Sequence, residues 1–312
     1  MLRRSPAWKR ASSTLKMRLP GVWQRLMLDW GKGGDALEPL AVARDLPVGL
    51  CAWYRYRAHL AGVKSYVMFV GYPRSGHSII GSMLNAHPNV FAGHRVRVLR
   101  YAAAGYSRKA ILGMSIVADR RFERMGRIGS KRYDYTVGGQ WQGRFSELLV
   151  AGDTNVTNRF LQRRPELLAR LREILGMPVK LVHIVRNPFD NIATMSIRNR
   201  LTLAEAADSY FALCDGAVSI RTLVAADDWF DLRHEDVISD APAALSKLCG
   251  FLSVPAPEDY LAACDAIIYR KAHNSRNEVT WEPPVRKSVE ARMAAYPFLA
   301  GYTFDDTAEA PA

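Results

Sequence analysis

The 312-residue chain is poor in cysteine, and its four cysteines, Cys51, Cys214, Cys249 and Cys264, form no C-x-x-C pair. Neither a zinc framework nor a disulfide scaffold is suggested, and a reducing compartment fits. No apolar run reaches the roughly 18 to 20 residues of a membrane span, and the N-terminus lacks the uninterrupted apolar core of a secretory signal. A cytoplasmic location is therefore expected. Acid is also short: 30 Asp and Glu stand against 43 Lys and Arg, a net charge of +13. Such a balance favours anionic ligands, nucleic acid or an anionic membrane surface over acid-rich partners. No internal repeat or low-complexity tract occurs. The remainder, 49% hydrophobic and 23% charged, is the composition of a globular protein long enough for one large α/β domain or two small ones.

The shortage of acid is complete from Met1 to Leu28, where seven basic residues interleave with Trp8, Leu15, Met17, Leu19, Val22, Trp23, Leu26 and Met27. Such a segment can lie on anionic lipid at the inner face of a membrane, although Pro20-Gly21 breaks any single helix. The alternative is a basic arm packed on the domain. Residues 1–62 are expected to form this arm, partly helical and mobile, ahead of a domain at 63–305 and a tail at 306–312.

Past the arm, strand and helix patterns alternate. Strands are expected at Tyr66–Val70, Val90–Ala92, Leu148–Ala151, Val179–Val185 and Trp229–Leu232. Helices are expected at Ser78–Asn85, 95–126, Thr157–Leu175, 202–225, 239–252, 257–267 and 285–295, with a long loop at Gly126–Gly143. This alternation predicts an α/β fold of P-loop type, a mostly parallel sheet flanked by helices on both faces, with ligands at the carboxyl ends of the strands.

The stretch VGYPRSGHSI (70–79) reads as strand, tight loop and helix start. Gly71 and Gly76 have the spacing of a phosphate-binding loop, but His77 stands where a kinase or ATPase places lysine, and the cation, Arg74, lies three positions earlier. The free amides near Ser75 to Ser78, with the side chains of Ser75, His77 and Ser78, favour an anion. A second anion site is expected in VHIVRNPFDNIATMS, where Arg186 ends a strand and the following helix carries Thr194 and Ser196. Two cradles at two strand ends suggest a nucleotide with two separated phosphate-like groups.

The segment YPRSGHSIIGSMLNAHPNVF followed by VHIVRNPFDNIATMS resembles the sulfotransferase family that uses 3'-phosphoadenosine 5'-phosphosulfate (PAPS), in particular its bacterial members. The likeness extends through GDTNVT (152–157), RHEDVISDAPAALSKLCGFLSV (233–254), SRNEVTW (275–281) and YPFLAGYTF (296–304), about residues 65 to 304. It implies that Arg74, Ser75, Gly76, His77 and Ser78 surround the 5' end of the nucleotide, with Arg74 stabilising charge on the leaving oxygen. It further implies that Arg186 and Thr194, with Ser196 as second choice, hold the 3'-phosphate, and that Arg276 is a later nucleotide ligand. No metal and no nucleic acid are expected.

The base that takes the acceptor's proton is implied to be His94. Related bacterial sequences carry a His-Glu pair at that point, whereas here Arg95 follows His94. His183 is the alternative base, although in mid-strand it reads rather as a core histidine; His87 reads as a turn residue, Asp190 as a cap or ion-pair partner, and Asp153 as a carboxylate near the site. The acceptor, whose identity the sequence does not give, is expected to offer a hydroxyl or amine, on a glycan or a small metabolite. The stretch Arg120–Arg144, with Tyr133, Tyr135 and Trp141, either lines its cleft or is a surface loop packed by its own aromatics. Two other functions remain open: a P-loop kinase-like phosphotransferase, which His77 disfavours, and a non-catalytic nucleotide-binding relative, which Arg95 motivates.

Overall fold

A computed structural model describes residues 39–127, 134–145, 147–269 and 273–306. The expected arm up to residue 38, Tyr133 of the expected cleft and most of the expected tail lie outside the described residues. The chain divides into two compact units, residues 1–45 and 46–312. Of the first, residues 39–45 are described, and they open helix α1 (Pro39–Leu60).

In the second unit the order is β1 (Ser65–Gly71), α2 (His77–Ala86), β2 (Val90–Gly93), α3 (Val98–Ala103), α4 (Arg108–Arg124), β3 (Val150–Val156), α5 (Asn158–Arg163), α6 (Glu166–Leu175), β4 (Val179–Val185), α7 (Pro188–Asn199), α8 (Leu203–Arg221), β5 (Trp229–Arg233), α9 (His234–Ser239), α10 (Ala241–Leu252), α11 (Glu258–Ala266) and α12 (Pro283–Met293). The strands pair in the order β2-β3-β1-β4-β5, every pairing parallel. All seven residues of the central β1 are buried. Its continuous apolar run follows from cover on both faces. One core packs Val67, Phe69, Val182 and Ile184 against Ile80, Met83 and Leu84 of α2 and Leu245 and Leu248 of α10. A second gathers Phe189 and Ile192 of α7, Tyr210 and Phe211 of α8 and Val289 of α12 around Tyr72 and Val185. Both α/β class and parallel sheet agree with the sequence pattern.

Three expected elements differ. The helix over 95–126 is two, α3 and α4, because Gly105 turns the chain at φ +79° and Ser107 then caps α4 by accepting from the Ala110 amide at 3.4 Å. The helix over Thr157–Leu175 breaks at Arg164, which precedes Pro165 and leaves helical geometry at φ −138°, ψ 63°. β3 runs on to Val156, and its pairing with β1 skips from Met68↔Asp153 to Phe69↔Val156, so Thr154 and Asn155 bulge from the ladder. None of the helices among the described residues is long and apolar enough to cross a membrane.

The loop after α4 is held by a buried ion pair. Arg127 reaches both oxygens of Asp119, at 2.9 and 3.0 Å, and the Gln142 carbonyl, while Asn85 Nδ2 donates to Asp119 Oδ1 at 2.8 Å. Burial raises the Asp119 carboxyl from its ordinary value against these partners. Removing one partner strands the other charge, so Arg127→Met should lower stability by about 3 to 5 kcal/mol in denaturant unfolding. The double change Arg127→Met, Asp119→Leu should recover most of that loss. Equal losses in both would mean that the pair does not set the stability of this loop.

Candidate active site

The loop leaving β1 is shaped by two residues in left-handed backbone, Arg74 at φ +70° and Gly76 at φ +87°. Gly76 is also required for space, since a Cβ there would lie 2.1 Å from His234 Cδ2. Ser75 is fully buried, and both its amide (3.2 Å) and its hydroxyl (2.9 Å) donate to the Tyr72 carbonyl. Its hydroxyl therefore braces the loop. The Ile79 and Ile80 amides turn back to the Gly76 carbonyl, so Gly76, His77 and Ser78 present the first-turn amides that a helix start offers to an anion.

At the end of β4, Asn187 Oδ1 caps α7 by accepting from the Phe189 amide at 3.0 Å. Glu235, just past β5, fixes this turn by accepting from the Asn187 amide at 3.0 Å and from the Tyr302 hydroxyl at 2.6 Å. Arg186, 7% exposed, donates from Nη1 to the Arg74 carbonyl at 3.1 Å and from Nη2 to the His273 carbonyl. Asp190 lies 3.7 Å from Arg186 Nη2 and accepts from Arg276 through its amide (3.0 Å) and Nη1 (3.3 Å). Arg276 Nη2 also reaches the Asp306 carbonyl. The Thr194 hydroxyl donates to Ser275 Oγ at 2.9 Å, and His273 Nδ1 sits 3.0 Å from the same oxygen. Arg74, Arg186, Thr194 and Arg276 thus come together in one cluster. Ser196 does not join it, because its hydroxyl donates to the Leu201 carbonyl at 2.7 Å, beyond the end of α7.

His94, at the end of β2, stacks on Phe122 with ring centroids 3.9 Å apart. Asp153 shapes this corner. It is 1% exposed and accepts from the amides of Val96 (3.0 Å), Val98 (2.9 Å) and Asn155 (2.8 Å). Its role is to hold the turn after His94. His183 is the core histidine expected, with Nε2 3.0 Å from the Tyr72 hydroxyl and Nδ1 2.7 Å from Asp231. His87 is likewise spent on a turn, against the Pro255 carbonyl and the Asn89 amide. Trp141 is exposed and Tyr135 packs against the first core.

Electrostatically this end of the sheet is positive and short of partners. Burial, then the charges of Arg95, His94 and Arg74, pushes His77 down to about 4. Burial with Arg95 and Arg127 pushes His94 down to about 4. His234 falls to about 3 through burial and Arg186. The Arg74 guanidinium is lowered by burial and by Arg198, with Arg186 and Arg95 adding to it. Buried polar atoms without a hydrogen-bond partner include His77 Nδ1, Arg186 Nε, His234 Nδ1 and Asn274 Oδ1. Such atoms carry a desolvation cost that a ligand's polar groups would offset. Sequence reasoning missed His234, Ser275, His273 and Arg198. Only His234 carried a signal, its place at the carboxyl end of a strand.

The sulfotransferase-family profile matches residues 67–258, and the chain belongs to the sulfotransferase family. No curated protein matches it. Similar solved structures include sulfotransferase STF1 of Mycobacterium tuberculosis H37Rv, at 14% identity over 88% of this chain and 91% of that one, TM-score 0.48. STF9 of Mycobacterium avium is similar at 11% identity over 95% and 96%, TM-score 0.47. Mouse SULT7A1, solved in complex with PAP, is similar at 13% over 76% and 87%, TM-score 0.42.

The three lowered histidines of this end of the sheet, with His87, which burial also lowers, give stability a pH dependence of definite sign. Between pH 6.5 and about 4 the unfolded chain binds protons that folded His77, His94 and His234 refuse, so stability is lost as pH falls through that window. Each contributes a slope of up to about 1.4 kcal/mol per pH unit. Asp153, pushed up to about 6 by burial, acts in the opposite sense as it gains a proton. Urea unfolding of the unliganded protein should therefore show a net loss of about 2 to 4 kcal/mol from pH 7 to pH 5. A flat profile would place these imidazoles in solvent.

Proposed function

We propose that the protein is a PAPS-dependent sulfotransferase acting on a hydroxyl or amine, with residues 63–305 as its catalytic domain and the cytoplasm as its setting. One observation carries the reading: the anion cradles at the ends of β1 and β4 share a hydrogen bond, from Arg186 Nη1 to the Arg74 carbonyl. That junction suits one nucleotide bearing anionic groups at both its 5' and 3' ends.

In this reading the amides of Gly76, His77 and Ser78 hold the 5' end, and Arg186 with Thr194 and Ser275 holds the 3'-phosphate. Arg276, already committed to Asp190, orients that carboxylate and through it Arg186. The donor supplies an SO3 group: the acceptor oxygen bonds to sulfur while the bridging S–O bond breaks, its electron pair leaving on the 5'-phosphate. Arg74 stabilises the charge that collects there. His94, neutral at physiological pH, takes the acceptor's proton. The stack on Phe122 and the nearby arginines favour a second reading, a relative that binds nucleotide without turnover. Labelled transfer to a broad acceptor panel separates the two.

Adenosine 3',5'-bisphosphate should raise the melting temperature, by mass action worth about 2.7 kcal/mol at a hundred times Kd, while ATP with magnesium should raise it far less. A larger response to ATP would support a kinase instead. Arg186→Ala should weaken bisphosphate binding by the equivalent of about 1.5 to 3 kcal/mol and weaken 5'-AMP, which Arg186 reaches only through the Arg74 carbonyl, by clearly less. Equal weakening of both ligands would make Arg186 structural. His94→Ala should slow single-turnover transfer by roughly 10² to 10⁴ with bisphosphate affinity retained. Wild-type turnover in that variant would assign the proton to another group.

A further inference from the structure

In the strand order β2-β3-β1-β4-β5, the ends of β3 and β2 lie on the opposite side of the β1 loop from β4. If the nucleotide spans β1 and β4, the acceptor enters over β3 and β2. His94 and Arg95 stand at the end of β2, beside the bulged Thr154 and Asn155 of β3. Arg95 is held in left-handed backbone at φ +51°, with its amide 3.4 Å from Thr154 Oγ1. A non-glycine residue adopts that conformation at a cost. The exposed Arg95 side chain therefore departs from a fixed point next to His94.

Among the described residues no carboxylate forms an ion pair with it. The guanidinium groups of Arg95, Arg97 and Arg198 form no ion pair among the described residues. The acids of this corner are spent elsewhere, Asp153 on the amides of Val96, Val98 and Asn155, and Asp119 on Arg127. An exposed arginine is ordinarily just solvated. This one is accompanied by Arg127 in opposing a proton on His94, the group that must receive one in the reaction.

We propose that the acceptor carries its own oxyanion, a carboxylate or sulfate, close to the hydroxyl to be sulfated, and that Arg95 binds it beside His94. Two oxygens of a carboxylate or a sulfate accept two parallel hydrogen bonds from a guanidinium, so binding fixes the orientation of the hydroxyl as well as its proximity. The same anion offsets the Arg95 charge felt by His94, so the base gains proton affinity when the correct acceptor is in place. A neutral analogue fills the site without that help. Arg95 is then a specificity-determining residue.

This inference rests on the sulfotransferase reading, and the experiment separates the two. Matched acceptors would be offered with ³⁵S-labelled PAPS: 4-hydroxybenzoate against its methyl ester, glucuronate against its methyl ester, and a sulfated against an unsulfated galactoside. Within the accepted pairs, wild type should favour the anionic member by roughly 10- to 100-fold in kcat/KM, the effect of a hydrogen-bonded charged contact. Arg95→Gln should reduce that ratio to near one, and Arg95→Lys should restore part of it, with a thermal shift by adenosine 3',5'-bisphosphate reporting that each variant is folded. Equal use of acid and ester by wild type, or a preference that survives Arg95→Gln, overturns the proposal. Transfer to no acceptor by a wild type that binds the bisphosphate overturns the transferase reading beneath it.

Discussion

The hydrogen bond from Arg186 to the Arg74 carbonyl joins two loops that a parallel sheet would otherwise only place side by side. Each loop depends on it for a different reason. Arg74 sits in left-handed backbone, where a carbonyl without a partner would be free to turn away. Arg186 is nearly buried and needs acceptors for its guanidinium, which it takes from Arg74, His273 and Asp190. Around this contact the protein has placed braces, with Glu235 holding the Asn187 turn and His234 filling the space that Gly76 leaves open. Its position at the C-terminal ends of β1 and β4 follows from strand order, because neighbouring parallel strands end on the same side.

Electrostatics then sorts the polar residues into two groups. Carboxylates in this region are structural: Asp153, Asp119 and Asp190 are each buried against amides or guanidinium groups. Histidines and arginines are left to face whatever binds. Half-buried imidazoles beside arginines stay neutral, which keeps hydrogen-bonding capacity without adding to an already positive end. The site is thus costly to hold empty and suited to an anion.

Much of this was legible in the chain. Five strands could be read because buried parallel strands appear as short continuous apolar runs such as VKLVHIV, bounded by turn residues. The two loops proposed as anion cradles could be placed because each follows a strand and opens a helix. The helix breaks at Gly105 and Pro165 were local signals overridden by long stretches of good helix formers. Longer-range facts were not readable. That Ser75 turns inward to Tyr72, that Ser196 serves Leu201 and that His234 lies against Gly76 are consequences of packing between segments far apart in sequence or of loop geometry, and residue spacing carries neither.

The central claim is that one nucleotide occupies both cradles. Calorimetric titration with adenosine 3',5'-bisphosphate, followed by titration of that complex with 3'-AMP and then 5'-AMP, tests it most directly. A single site per chain, tighter than for either monophosphate and closed to both once filled, is the predicted result. Two bisphosphates per chain, or a monophosphate that still binds to the filled complex, would mean that the cradles are separate sites and would contradict the account.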